Sequence, residues 1–317
     1  MRIVHVARRP MPPTTLADAG GMPQMILWLA QAQVARGHDV HILATRGNQG
    51  ARTQIPITVV SNWGAKAVLE SLPSGADVLH LHGEDHGLFS REAEIPVGAI
   101  STFHGNLNGR PDLINPVFVS QSHAQRHGED TFVYNGLPCS DFEVGRGRRD
   151  GLLFLGKLRR SKKGAKTAVR VARRAGVDLT LAGHPTWKIP ASRMPWWPGV
   201  RAVGAVSGLQ KNDLLRSARA LLCPVQWDEP FGLVLIEAMA CGTPVIGTDR
   251  GALPEIIKHG QTGFICRTEE EMVEAIGAVD QLSPQACREH VERRFDIRRV
   301  CADYEELYRR AIAGERW

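Results

Sequence analysis

The chain has 317 residues, 43% hydrophobic and 23% charged, which suits two folded domains and excludes disorder as a description of the whole. No uninterrupted apolar run reaches about 18 residues, which excludes a transmembrane helix. The net charge of +6 is unevenly spread: residues 1–150 carry 13 Lys/Arg against 14 Asp/Glu, and residues 151–317 carry 26 against 19.

Met1 leads directly into the strand-like Ile3-Val4-His5-Val6, without a charged n-region and long h-region, so no signal peptide is expected. Apolar runs mark strands at 2–7, 39–44, 56–60, 77–82, 97–103, 116–120 and 131–134, then at 151–156, 178–182, 200–206, 218–225, 244–248 and 263–266. Most are continuous rather than alternating, as in parallel strands covered on both faces. Helical segments lie between them, such as 22–36 and 165–175, where Ala168, Val171, Ala172 and Ala175 keep helical spacing. The repeated β-α-β order predicts an α/β protein of two doubly wound parallel sheets in tandem.

Gly, Pro and charge cluster at 135–150, and the acid/base balance changes there. The expected division is a first domain over 1–140, a second over 141–300, and a C-terminal helix over 301–317 that packs back on the first. The tail, about 285–313, reads as two short helices separated near Phe295-Asp296. The six cysteines show no CxxC or zinc spacing and read as small buried hydrophobes in a cytoplasmic protein.

Open parallel sheets bind ligands outside the carboxyl ends of their strands, so the strand-end motifs carry the chemistry. Gly20-Gly21 precedes the first helix, where backbone N–H groups can approach an anion; a plain flexible turn explains it equally well. Gly156-Lys157-Leu158-Arg159-Arg160-Ser161-Lys162-Lys163-Gly164 joins the strand at 152–155 to a helix and predicts a phosphate site with fixed positive charge. Asp228-Glu229-Pro230-Phe231-Gly232-Leu233-Val234-Leu235-Ile236-Glu237 follows another strand. Glu229 and Glu237 cannot form one acid/base couple by helix spacing and read as two separate hydroxyl acceptors. The amides at 231–234 form an anion-facing helix start.

Glu229 and Glu237 form an E-x7-E pattern that continues through Ala238-Met239-Ala240-Cys241-Gly242-Thr243-Pro244. Ala35-Arg36-Gly37-His38, Asp77-Val78-Leu79-His80, Thr102-Phe103-His104-Gly105, Asn135-Gly136, Leu181-Ala182-Gly183 and Gly251-Ala252-Leu253-Pro254-Glu255 accompany it in order. With these motifs, from the first strand to about residue 310, the chain resembles the retaining glycosyltransferases of family 4 (glycosyl transferases group 1). The resemblance implies the GT-B fold, two doubly wound Rossmann-like parallel-sheet domains facing a central cleft. It also implies transfer of a sugar from a nucleotide-diphosphate sugar, UDP-glucose foremost, to an acceptor hydroxyl with retention and without metal.

Residue by residue, the resemblance assigns Glu229 to the donor-sugar hydroxyls and Glu237 to the ribose. Phe231, Gly232, Leu233 and Val234 bring backbone N–H groups to the sugar and diphosphate. Lys157 and one of Lys162 and Lys163 neutralise the diphosphate, with Lys163 ahead because it precedes Gly164. His104 sits beside the donor sugar and Gly21 beside the phosphate and acceptor. Three departures accompany the match: Lys157 stands where the family usually has Arg, the 156–164 loop is one residue longer, and Gln24 replaces a frequent acid.

Nine of the twelve histidines fall in residues 1–150, including His80, His82, His86 and His104. No Asp-x-Asp and no repeated His/carboxylate spacing occurs, so no metal is expected. Trp196-Trp197-Pro198 reads as a packed loop, with an acceptor cover or membrane contact as the other readings. The cations at 157–174 exceed what one diphosphate needs, which leaves weak peripheral membrane contact open through Arg170, Arg173 and Arg174. Nucleic-acid binding would interleave aromatics with that charge, and none occur there. The alternatives to transfer are a GT-B sugar-nucleotide epimerase or hydrolase and, behind them, a nucleic-acid-binding protein.

Overall fold

The computed structural model describes residues 1–8, 21–45, 55–83, 88–106, 112–183 and 198–317. Gly20, His86 and the Trp196-Trp197 pair lie outside the described residues. The chain divides into two units: Met1–Leu137 together with Ile297–Trp317, and Pro138–Asp296.

The first unit runs β1 (Arg2–Ala7), α1 (Gly21–Ala35), β2 (Asp39–Ala44), β3 (Ile57–Val59), α2 (Ala65–Glu70), β4 (Val78–His82), β5 (Gly98–Phe103), β6 (Pro116–Phe118) and α3 (Gln121–Arg126). Its six strands are parallel in the order β3-β2-β1-β4-β5-β6. The second unit runs β7 (Leu152–Leu155), α4 (Ala165–Ala175), β8 (Leu179–Ala182), β9 (Val200–Gly204), α5 (Gly208–Ser217), β10 (Ala220–Cys223), α6 (Leu233–Ala240), β11 (Val245–Thr248), α7 (Leu253–Ile256), β12 (Gly263–Cys266), α8 (Glu269–Ala278) and α9 (Pro284–Arg294). Its strands are parallel in the order β12-β11-β10-β7-β8-β9. Counted from its own first strand, each sheet follows the doubly wound order 3-2-1-4-5-6. The order reverses between β1 and β4 in one sheet and between β7 and β10 in the other, and a crevice opens at such points.

The continuous runs reflect burial on both faces. In β1, Val4 and Val6 join Leu79 and Leu81 of β4 in a cluster on the α2 side. On the other face, Ala7 packs with Ile26, Leu27 and Ala30 of α1. In the second unit Ala168, Val171 and Ala172 of α4 are fully buried against Leu152, Phe154 and Leu181. The stripe at 165–175 forms for the reason its spacing predicts.

After α9 the chain returns to the first unit as α10 (Ile297–Ile312), longer than a short tail helix. Its Tyr304 and Tyr308 are buried, and Glu305 is 3% exposed. The Glu305 carboxylate accepts from Arg36 Nη2 at 2.8 Å and lies 2.9 Å from His38 Nε2. The Arg36 bond, above all, holds that carboxyl down at about 2. Removing this acid leaves two basic groups at the end of α1 without their anchor.

One predicted strand does not form. Residues 131–134 touch β6 through a single bridge, Phe118 with Phe132, whose hydrogen bonds run from Phe118 N to Thr131 O and from Val133 N to Phe118 O. The apolar run signals burial there, but two backbone bonds do not extend a ladder.

Candidate active site

The second unit gathers charge at its topological switch. Gly156 follows β7 and donates its N–H to Ala182 O. A Cβ on Gly183, at φ +145°, would sit 1.7 Å from Gly156 O, so only glycine lets the end of β8 pass so close. Ser161–Lys163 makes one 3-10 turn, and Gly164 follows in the left-handed region at φ +81°. A Cβ there would lie 1.9 Å from Pro224 O, and Gln226 N donates to Lys162 O at 2.8 Å. The basic loop is therefore seated on the exit of β10, and this seating aims its lysines.

The two neighbouring lysines part company. Lys163 Nζ donates to Glu229 Oε2 at 2.6 Å, and the indole N–H of Trp227 donates to the same oxygen at 2.8 Å. Lys162 Nζ lies 3.4 Å from the Trp227 ring centroid, a cation–π contact, and Lys163 Nζ lies 5.2 Å from it. Lys157 is exposed beyond β7.

Glu229 is held from behind. Ala252 N donates to Glu229 O at 2.9 Å, and a Cβ on Gly251 would lie 2.4 Å from Glu229 N. The conformation of Gly251 thus fixes where the Glu229 backbone stands. Gly232, at φ +92°, caps the start of α6. The Phe231 ring turns inward onto Phe295, with centroids 5.8 Å apart, so this residue offers its backbone and not its ring.

Glu237 lies on α6 and is 7% exposed. Its Oε1 accepts from Lys211 Nζ of α5 at 2.7 Å. A buried carboxylate needs such a partner, and the two glutamates have a lysine each. A hollow at the carboxyl ends of β7 and β10 is lined by Gly156, Lys163, Cys223, Val225, Glu229, Gly232 and Val234, among others. Of the residues named from sequence, Lys163, Glu229, Gly232 and Val234 meet at this hollow. Lys157, Phe231, Leu233 and Glu237 do not line it. The hollow combines an ammonium, a carboxylate and the first turn of a helix, a set suited to an anionic group beside a polyol.

Gly21 and His104 belong to the first unit. Gly21 is exposed and opens α1. His104 stands just past β5, and His123 Nε2 bonds Gly105 O, which secures the turn beyond it. Period two on paired strands places His5 of β1 beside His80 of β4, with His82 two residues on. One ring nitrogen from each of His5, His80 and His82 falls within 4.8 Å of the others, a group that could hold a metal ion. All six of their ring nitrogens already have hydrogen-bond partners. Burial lowers His5 to about 4, against a bond to Gln33 that raises it, and lowers His104 to about 4. Burial likewise holds His80 and His82 well below the ordinary value. These rings are neutral near pH 7.

Sequence reasoning missed Lys211, Trp227, Gln33 and Tyr308. Lys211 had one available signal: an acid on the apolar helix 233–240 demands a cation, though nothing local says which. Of the surplus cations, Arg170 pairs with Glu269 and Arg174 with Glu269 and Glu270. Among the described residues no helix is long and apolar enough to cross a membrane. All six cysteines are buried and unpaired.

Residues 149–280 match the family model described as "Glycosyl transferases group 1". A phosphatidyl-myo-inositol mannosyltransferase of Mycobacterium tuberculosis is 27% identical, with 83% of each chain covered. The structure of AviGT4, a glycosyltransferase involved in avilamycin A biosynthesis, is similar with a TM-score of 0.80 at 25% identity, covering 100% of this chain and 99% of that one. Anabaena Alr3699/HepE in complex with UDP-glucose has a TM-score of 0.71 at 15% identity, covering 97% and 99%. The curated relatives above 30% identity are spanned over 23% to 50% of their own lengths.

Proposed function

We infer, for a chain that belongs to the glycosyl transferases group 1 and has the GT-B fold, that it transfers a sugar from a nucleotide-diphosphate donor to an acceptor hydroxyl. The observation that carries this reading is the hollow at the β7/β10 switch, where Lys163 and Glu229 stand 2.6 Å apart below the start of α6. A diphosphate draws Lys163 and the first-turn amides, and sugar hydroxyls take the Glu229 carboxylate in place of the lysine. Glu237, held ready by Lys211, accepts from a ribose. UDP is the favoured nucleotide and glucose the favoured sugar. This preference rests on Glu229-Pro230-Phe231-Gly232-Leu233, and the UDP-glucose complex of Alr3699/HepE agrees with it.

In this reading the acceptor oxygen bonds the anomeric carbon on the face from which the phosphate leaves, and the departing phosphate oxygen takes the acceptor proton. Configuration is retained and no side-chain base is required. Glu229 is engaged by Lys163 and Trp227, which suits positioning better than proton transfer. Lys157 and Lys163 carry the leaving-group charge without a metal ion, and preorganised charges of this kind give several kcal/mol in a transition state. The resemblance assigns His104 to the transferred sugar and Gly21 to the phosphate and acceptor.

A thermal-shift screen of nucleotide sugars identifies the donor: a ligand at a hundred times its Kd adds about 2.7 kcal/mol. NMR of the product then reads the anomeric configuration. An inverted product overturns the front-face reading, and donor isomerisation without acceptor points to the epimerase instead.

A further inference from the structure

The buried polar groups of the first unit form one continuous hydrogen-bond chain, and the way the Gln33 amide faces sets its direction. Gln33, on α1, is 0% exposed. Its Oε1 lies 2.7 Å from His5 Nε2, and its Nε2 donates to the Tyr308 hydroxyl at 2.9 Å. An amide oxygen only accepts and an amide nitrogen only donates. His5 therefore carries its hydrogen on Nε2, and as a neutral ring it accepts on Nδ1. His82 Nε2, 2.9 Å away, must then donate to it. His82 in turn accepts on Nδ1 from His104 Nε2 at 3.3 Å. On the other side, the Tyr308 oxygen accepts from Gln33, so its O–H goes to His80 Nδ1 at 2.7 Å. His80 Nε2 then donates to Thr102 Oγ1 at 2.7 Å, and Thr102 Oγ1 lies 3.0 Å from the Tyr304 hydroxyl.

We propose that Gln33 is a positioning residue that sets all four rings, His5, His80, His82 and His104, as neutral Nε2–H tautomers. His104 then offers the lone pair of Nδ1 to a ligand. A histidine so fixed accepts a hydrogen bond and cannot give one. It selects a donor sugar with a hydroxyl at the facing position over one with a carboxylate or a deoxy carbon there. The specificity step rests on the reading of His104 as a sugar contact; the tautomers do not. Local burial explains why the device is neutral: buried imidazolium charges would each need an anionic partner, and among the described residues the ring nitrogens meet Gln33, Tyr308, Thr102 and one another. The chain also explains why α10 returns to this unit, since Tyr308 is the link between Gln33 and His80.

Long-range 1H–15N correlation spectra of the imidazole rings, taken without ligand at pH 7, separate Nε2–H, Nδ1–H and imidazolium forms. The expected result is four neutral Nε2–H rings. In Gln33→Met all four lose the single tautomer, whereas Tyr308→Phe releases His80 and leaves His5, His82 and His104 pinned. With sugar transfer as the readout, Gln33→Met lowers kcat/KM about tenfold, the scale of one hydrogen bond, and leaves the thermal shift by UDP unchanged. An Nδ1–H ring among the four overturns the proposal, as does a Gln33→Met spectrum identical to the wild type. Stoichiometric zinc that removes the N–H signals of His5, His80 and His82 does so too, by revealing a metal cluster in their place. Four Nε2–H rings in a protein that transfers no sugar leave the chain standing and dispose of the donor-site reading instead.

Discussion

Around the ends of β1 and β4 the first unit carries neutral imidazoles linked through Gln33, whereas around β7 and β10 the second carries the charged pair Lys163–Glu229, with Lys211–Glu237 beside it. The two sheets have the same strand order, so topology puts a ligand crevice at the same point in each. What differs is the chemistry placed there. A buried neutral chain carries direction, donor to acceptor, at no cost in buried charge. Charged pairs at a half-open hollow carry field strength and can exchange partners when an anion arrives. One strand order thus serves two physical purposes, decided by which side chains occupy the strand ends.

The largest expected effect breaks the charged side of this contrast. Replacing Lys163 or Glu229 with alanine should lower transfer about 100- to 1000-fold, as loss of a preorganised charged contact does. The first unit should keep its hydrogen-exchange protection. Activity within threefold of the wild type would mean that the hollow is not where the donor reacts.

Acid should break the neutral side next. His5 sits at about 4 in the folded chain against 6.5 unfolded, so the unfolded chain takes up protons first. Stability is whole above 6.5, falls as pH drops below it, and goes on falling until about 4. His5 alone accounts for about 2 kcal/mol between pH 7 and pH 5, and His80, His82 and His104 act in the same direction. Hydrogen exchange at the two pH values should show the first unit loosening before the second. No loss in the first unit would show that the rings are not held neutral.

Gly164→Ala tests whether the basic loop depends on its seat. The left-handed conformation and the 1.9 Å approach to Pro224 O should together cost about 2 kcal/mol and weaken UDP binding. Chemical denaturation and titration calorimetry measure the two quantities. Lys211→Met, the smallest change, leaves Glu237 buried without its cation. It should reduce second-unit stability by about 1–2 kcal/mol and UDP affinity about tenfold, with the first unit unaffected. An unchanged affinity would separate Glu237 from the nucleotide.

Much of the fold was legible because its signals are local. β1, β2, β12 and α4 lie where apolar runs and the stripe Ala168, Val171, Ala172 place them. Residues 131–134 misled because an apolar run reports burial, and burial there comes without a ladder. The E-x7-E segment announced two acceptors rather than a couple, and each has its own lysine. Lys211 was not legible: it stands 26 residues before Glu237, on a helix with no pattern of its own pointing there. Between Lys162 and Lys163 the sequence favoured Lys163, which precedes Gly164, but it gave no sign of the contacts that separate the two. Both ammonium groups lie over Trp227, at 3.4 and 5.2 Å from its centroid, and Lys163 goes on to donate to Glu229.

By itself the sequence determined two parallel α/β units, the strand ends that carry polar chemistry, and the family whose motifs sit on them. Those follow from periodicity, glycine placement and short motifs, which neighbouring residues decide. Only the tertiary structure decided that Lys163 meets Glu229 across 66 residues and that Gln33 meets Tyr308 across 275. It alone brought His5, His80 and His82 onto one face of one sheet. Contacts at such separations form only when sheet order and helix return are complete, so hydrogen-bond direction and charge pairing are properties of the fold.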